Sequence, residues 1–442
     1  MQMIRHFLLL LCAFVLTFII GIHLGLNMSS GRYTLEVPLK ARSRRSAYFT
    51  VDAAEWMDSW TKVTANVYLF SAYFDPRLGE NATVVRVMGL MRLRPTLNVT
   101  CFCLIDEKPS QRVLAKVEFL QDHHHTKYDG VFIICPYHAS NSSQPPRVVR
   151  VIVNGTEEGT SNRIPVHSRM PLSGDDLDSL ALCVRPFHNG VPKLHDLRHF
   201  IAYYALHGVQ RFTFYSYSSR QDVEEYLWTL RDRLKVDFLP WSLTAAKSSW
   251  ALAQNVFTQD CLYRHANATR RVLIVDLDEF VFPFPTRGGR LRTVAELVAH
   301  LPASKPCLVI RNVFWVRAAS SEHRPFIFAS LNRSRRTWPT GLRSKYVADP
   351  LRVLEGGIHF CRRFLPVGGG GRDKQLTVND ALLFHYRGFR GETYVRDTRM
   401  LAWRERVMNS PLMPKLDLWR RVAFGVRDSL WTSFDLPVRL LS

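Results

Sequence analysis

Residues Val272-Leu273-Ile274-Val275-Asp276-Leu277-Asp278-Glu279-Phe280-Val281-Phe282 carry the strongest structural signal in this chain. Four apolar residues run into two carboxylates, and apolar residues resume at once. A short continuous apolar run of this kind reads as a strand buried on both faces. In an extended segment Asp276 and Asp278, two apart, put their side chains on one side. Two acids at the carboxyl end of a buried strand repel each other unless positive charge lies between them. A hard divalent cation with oxygen ligands meets that need. The sharper reading is therefore an Asp-x-Asp metal and diphosphate site; the plainer one is a solvated turn after a strand. Glu279 should point to the opposite side, which suits a structural role.

Strands and helices alternate upstream of this stretch. Leu180–Val184 reads as a short strand. Leu194, Leu197, Ile201 and Tyr204 follow at helical spacing, with Gly208 as the stop. Val209–Tyr215 is the next strand, and Ser218-Ser219 opens a helix with Asp222 and Glu224 in its first turn. Val236–Leu239 is a strand, residues 250–266 a helix, and Arg271–Val275 the strand that delivers the aspartates. Such alternation predicts a mainly parallel sheet flanked by helices, an α/β class whose ligands lie beyond the carboxyl ends of the strands.

The N-terminal half reads differently. Phe7–Leu26 is almost wholly apolar and long enough to span a bilayer, and no cleavage site for a signal peptide follows it. Residues 27–54 are polar and basic and read as a stem. From residue 55 to 175 the chain carries short β-type runs at Val63–Ser71, Val84–Leu93, Leu97–Ile105, Arg112–Phe119, Val131–Cys135 and Val148–Val153, which predict a β-rich accessory domain. The part with alternating strands and helices is then 176–442, and residues 1–6 are expected to form a cytoplasmic tail.

Seven Asn-x-Ser/Thr acceptors, half of the asparagines in the chain, point to a secretory lumen. Asn81, Asn98, Asn141, Asn154, Asn267 and Asn332 are the expected glycosylation sites; Asn27 lies too near the span. The orientation is type II, with the bulk of the chain lumenal. Seven cysteines beyond Cys12 suit an oxidising compartment, and their odd count leaves at least one unpaired. A net charge of +21 would suggest nucleic acid in a cytosolic protein. In a lumen it fits a nucleotide diphosphate, acidic glycans or an anionic membrane surface, and much of it needs no specific partner. The oligomeric state is not legible.

Several blocks, in order, resemble glycosyltransferase family 92. They are Cys183-Val184-Arg185-Pro186, Leu197 through Phe212, Gln254 with Asp260 through Arg264, Val275 through Phe280, Lys345-Tyr346-Val347 with Gly357-Ile358-His359, and His385-Tyr386-Arg387. The resemblance implies a GT-A-type, Rossmann-like fold, a UDP-sugar donor (often UDP-galactose), a divalent metal (Mn2+ or Mg2+) and inversion at the anomeric carbon. It implies a β-galactosyltransferase-like enzyme acting on a glycan or glycoprotein in the Golgi membrane.

On that footing Asp276, Asp278 and His385 are the expected metal ligands. Asp276, Arg185, Lys345 and Arg387 are expected around the nucleotide diphosphate. Inverting transfer needs a general base at the acceptor hydroxyl. Glu355 and Asp380 are the candidates, since each neighbours a resembling block. His359 is a further candidate for donor or acceptor contact, His123-His124-His125 reads as a solvated loop, and Gly368–Gly371 as a mobile lid. Two other classes share features with this chain. A haloacid-dehalogenase-type phosphatase uses the same strand and Asp-x-Asp, but usually places a small pair where Glu279-Phe280 stands. A non-catalytic glycan-binding protein would keep the fold without turnover.

Overall fold

The computed structural model describes residues 58–413, apart from breaks at 80–81, 94–100, 107–111, 123, 138–144, 155–161, 169–177, 232, 300–303 and 367–373. The apolar run Phe7–Leu26, the stem, Asn81, Asn98, Asn141, His123 and Gly368–Gly371 lie outside the described residues. Among the described residues no helix is long and apolar enough to cross a membrane.

The chain first lays down β1 (Thr61–Thr64), β2 (Val67–Asp75), β3 (Val84–Arg92), β4 (Cys101–Ile105), β5 (Arg112–Phe119), β6 (Tyr128–Pro136), β7 (Val148–Val153) and β8 (Arg163–His167). Strands β2, β3, β6, β5, β4, β7 and β8 pair in that order, and β8 returns to β2 in parallel, which closes a seven-stranded barrel. β1 is the outer hairpin partner of β2. Val67, Leu69, Val85, Val87, Val131, Ile133, Val149 and Val151 fill the interior, and Cys103–Cys135 crosses it as a disulfide. The outer faces of β2, β3 and β6 are buried too: Phe70, Tyr73, Met88, Leu90 and Phe132 pack on the C-terminal half. That second burial explains why these strands are apolar throughout. β5 alternates instead, with Arg112, Leu114 and Lys116 exposed.

The second half adds β9 (Asp178–Val184), α1 (Leu194–Leu206), β10 (Arg211–Ser216), α2 (Gln221–Thr229), β11 (Lys235–Pro240), α3 (Gln254–His265), β12 (Thr269–Val275), β13 (Glu279–Pro283), α4 (Val294–Ala299), β14 (Cys307–Ile310), β15 (Asn312–Phe314), α5 (Phe326–Ala329), β16 (Asn332–Ser334), β17 (Lys345–Ala348), β18 (Val353–Gly356), β19 (Cys361–Phe364), β20 (Lys374–Gln375), β21 (Ala381–His385), β22 (Tyr394–Arg396) and α6 (Arg404–Met408). Its main sheet runs β11-β10-β9-β12-β17-β14-β20. The first four are mutually parallel, whereas β17 is antiparallel to both neighbours. A separate sheet, β13-β21-β15, carries the chain away from the acidic stretch.

The α/β expectation, a Rossmann-like and mainly parallel sheet, does not describe this molecule. Strands far outweigh helices among the described residues. The N-terminal part is a closed barrel, and the main sheet is mixed. The alternation that suggested the α/β class holds only from β9 to β12. Beyond Asp278 the chain folds into short strands, and α4, α5 and α6 have six, four and five residues.

α3 lies between the main sheet and the barrel, and all twelve of its residues are buried. Its polar side chains are there because both neighbours offer partners. Gln259 Nε2 donates to the Gly356 carbonyl at 2.6 Å, and the Gly356 N–H donates back to Gln259 Oε1 at 3.0 Å. A methyl group at Gly356 would lie 2.6 Å from the Tyr346 hydroxyl and 2.7 Å from Leu262. Disulfides Cys183–Cys261 and Cys307–Cys361 tie β9 to α3 and β14 to β19.

Candidate active site

The parallel register of β9 and β12 sets Val184 beside Val275, so Arg185 and Asp276 leave the sheet side by side. The Arg185 Nε lies 3.7 Å from Asp276 Oδ1. After Val275 the backbone turns: the Glu279 N–H donates to the Asp276 carbonyl at 3.0 Å. The extended geometry expected for this stretch is therefore absent, and the alternation rule fails at Glu279. Instead of pointing away, Glu279 folds back, and its Oε2 accepts the Asp276 N–H at 2.8 Å.

Strand β13 starts at Glu279, directly opposite His385 on β21. This register brings the C-terminal histidine to the acidic turn from more than a hundred residues away. His385 Nε2 is 3.5 Å from Asp278 Oδ2, and its Nδ1 is 3.4 Å from Glu279 Oε1. On the other side Lys345, at the start of β17, donates from Nζ to Asp276 Oδ2 at 3.2 Å and lies 3.5 Å from Glu279 Oε2.

These charges set one another's protonation. Burial pushes the Asp276 carboxyl up, but Lys345 and Arg185 outweigh it and hold the pKa at about 2. Asp278 is lowered for the same balance of reasons, with His385 as its partner. Burial dominates at Glu279 and raises it to about 7 against the pull of Lys345. His385 is raised: burial disfavours its cation, and Asp278 and Glu279 more than compensate. Lys345 stays charged because Asp276 and Glu279 offset its burial.

Asp278 and Leu277 open onto a small surface pocket, whose other walls include Arg185, His188, Asp196 and Arg317. Asp196 and Arg317 were not singled out from the sequence. Asp196 accepts from Arg317 at 2.9 Å and from the Ser320 hydroxyl at 2.6 Å, across the pocket wall. No local motif marks them, since α1 and the loop after β15 meet only in the fold.

The donor set suits a hard cation. Asp278 faces the pocket, His385 stands beside it, and Asp276 Oδ1 is buried without a hydrogen-bond partner. Among the described residues the only His, Cys, Asp or Glu donors in a group of three within 4.8 Å are the Cys183 and Cys261 sulfurs with His265, and those sulfurs are disulfide-bonded. Asp276, Asp278 and His385 are not drawn together into such a group, and Asp276 is engaged by Lys345 and Arg185.

The other expected residues separate. Arg185 lines the pocket; Lys345 is buried behind it, spent on Asp276 and Glu279. Arg387 is exposed just beyond β21. Glu355 is fully buried at the barrel, where it accepts the Gln121 N–H at 2.6 Å and pairs with Arg363 at 2.7 Å. Asp380 caps a turn by accepting from the Thr377 N–H and hydroxyl. It lies at the far end of the β13–β21 ladder, roughly 20 Å along the strands from Asp278. Neither carboxylate lines the pocket. His359 is half-buried, and its Nδ1 lies 3.0 Å from the Ser344 carbonyl.

A buried strand ending in an acid–cation cluster that opens onto a surface pocket is the kind of centre a group-transfer enzyme needs. Residues 178–420, more than half of the sequence, match the model of glycosyltransferase family 92, and the chain belongs to that family of sugar-transferring enzymes. No curated protein matches it.

Proposed function

We propose that this chain is a metal-dependent inverting transferase that moves a sugar, galactose first among the candidates, from a UDP-sugar to a glycan in the secretory lumen. The observation that carries this is the acidic turn at Asp276–Glu279 opening onto the pocket, inside the family-matched region. Asp278 and His385, with Asp276 behind them, would hold Mn2+ or Mg2+. Such a cation supplies neutralisation of the departing diphosphate. Arg185, on the pocket wall, adds fixed positive charge for the same oxygens. Lys345 keeps Asp276 ionised and in place. In the transfer the acceptor oxygen bonds to the anomeric carbon as the bond to UDP breaks on the opposite face, and the acceptor proton leaves to a base. Glu355 and Asp380, both occupied away from the pocket, have no part in this proposal. The three disulfides support an oxidising compartment, and Asn154 and Asn332 are exposed enough to carry glycans.

The test uses the protein purified from a secretory host, with a panel of UDP-sugars, a pool of free glycans and mass spectrometry of the products. Transfer is expected with Mn2+, to vanish with a chelator and to return with added metal. Asp278→Asn should lose about 10²–10³ in rate with its melting temperature kept. Consumption of no UDP-sugar by the wild type would overturn the proposal. In the same preparation, amidase removal of N-glycans should shift gel mobility; an unshifted band would refute the lumenal location.

A further inference from the structure

Beyond β21 the chain makes a tight turn, Arg387-Gly388-Phe389-Arg390-Gly391, before β22. Phe389 stands on this turn with 38% of its surface exposed. A single exposed aromatic ring is ordinary on a protein surface. Three features set this one apart. First, its backbone is pinned at both ends: the Phe389 N–H donates to the Tyr394 hydroxyl at 2.9 Å, and that hydroxyl donates to the Phe389 carbonyl at 2.8 Å. Second, one face of the ring stacks on Phe314 at 5.0 Å, and Trp338 packs edge-on at 5.0 Å, so the exposed part is held at a fixed tilt. Third, Phe314 is in ring contact with His385 at 5.2 Å, because β15 pairs with β21 in the register Phe314↔His385. The aromatic cluster therefore adjoins the acidic turn on its β15 side. The pocket opens from the same turn toward β9 and α1, and neither Phe389 nor Trp338 lines it. The Trp338 Nε1 donates to Glu392 Oε1 at 3.2 Å, which fixes a carboxylate at the rim of the cluster.

We propose that Phe389, backed by Phe314 and Trp338, is the acceptor platform: it takes the apolar C–H face of a pyranose ring of the acceptor glycan, with Glu392 accepting from a sugar hydroxyl. The inference rests on the transferase reading above and names the side from which the acceptor enters. A pyranose presents C–H groups on one face and hydroxyls at its edge. A rigid aromatic face with a carboxylate beside it matches that arrangement. Pinning by Tyr394 removes the ordering cost that a mobile loop would carry on binding. The donor pocket and the platform then flank His385 and Asp278, so the two substrates meet at the cluster from opposite sides.

The test compares wild type, Phe389→Ala and Phe389→Tyr of the full chain. Binding of a fluorescently labelled pool of free glycans is measured with UDP and Mn2+ present, alongside hydrolysis of UDP-galactose without acceptor. Phe389→Ala should weaken glycan binding roughly tenfold, the loss of one stacking contact. Its hydrolysis of donor and its melting temperature should stay unchanged, and Phe389→Tyr should bind as wild type does. Unchanged glycan binding in Phe389→Ala overturns the platform, and so does an equal loss of donor turnover. If the alanine variant is unstable, Tyr394→Phe releases the pin and keeps the ring. It should weaken glycan binding alone, and unchanged binding there overturns the proposal as well. Absent donor turnover in the wild type, with glycan binding still lost in Phe389→Ala, would refute the transferase reading and leave the platform standing.

Discussion

At the scale of single residues, the site is a charge balance in which one buried lysine supports two acids. Lys345 is 1% exposed and touches Asp276 and Glu279, whereas Arg387 lies in the open. Removing one partner of a buried pair strands the other charge, which costs about 3–5 kcal/mol. Lys345→Ala should therefore lower stability by that order in urea melts, and Arg387→Ala should leave it within about 0.5 kcal/mol. Equal, small effects from both would remove Lys345 from the frame of the site. The two residues look alike in the sequence, each a cation in a block resembling the family. Only the strand β17, which packs against β12, separates their roles. Asp276 and Asp278 were legible because an apolar run delivered them. His385 became legible through the resemblance. Glu279 was misjudged because alternation assumes an extended chain, and a hydrogen-bonded turn stands there instead. Asp196, Phe389 and Trp338 carried no local signal at all.

At the scale of elements, α3 is the joint between the two halves. Asp260 accepts from Ser71 and Tyr73 of β2, from Tyr215 of β10, and from Arg264 one turn on, each at 2.7–3.0 Å. Arg264 also reaches Asp58 at 2.6 Å, and Asp58 meets His167 of β8 at 2.9 Å. Asp260→Ala leaves three hydroxyls and a buried guanidinium without their common acceptor. A loss of about 3–5 kcal/mol is expected, and the melt should broaden or split as the barrel and the main sheet unfold separately. A single sharp transition near the wild-type temperature would show that the network does not couple them. The sequence disclosed the parallel strands well, since both of their faces are buried and β-type residues fill them. It placed the start of α3 four residues early. Trp250–Leu252 forms a separate turn, and Ala251, Leu252 and Ala253 have φ of 45°, 60° and 63°, a left-handed path that no helical periodicity announces. Barrel closure was equally hidden, because the β2–β8 pairing depends on registers set far apart in the chain.

For the whole molecule, the burial that holds the core together also shapes how it responds to acid. His207 is fully buried, its Nδ1 accepts the Val294 N–H at 3.2 Å, and the rings of Tyr203 and Trp403 cover it. Burial drives its pKa down to about 3, only slightly opposed by Glu296. His199 is held at about 4, again chiefly by burial. Each folded value lies below the unfolded value of 6.5. As pH falls below 6.5 the unfolded chain takes up protons that the folded chain refuses. Stability is then complete above that pH and is lost toward the folded values, by about 1.4 kcal/mol per pH unit for each histidine. His359, lowered to about 4 by burial, adds to this loss, whereas His385, raised by Asp278 and Glu279, and Glu279, raised to about 7, work in the opposite sense over the same range. Denaturant melts at pH 7.5 and 5.5 report the net of these opposing terms, and a variant isolates the share of His207. His207→Gln keeps an acceptor for the Val294 N–H and does not titrate, so it should lose about 1 kcal/mol less than wild type over that interval. An identical loss in both proteins would mean that His207 takes up its proton in the folded state, against the burial that surrounds it.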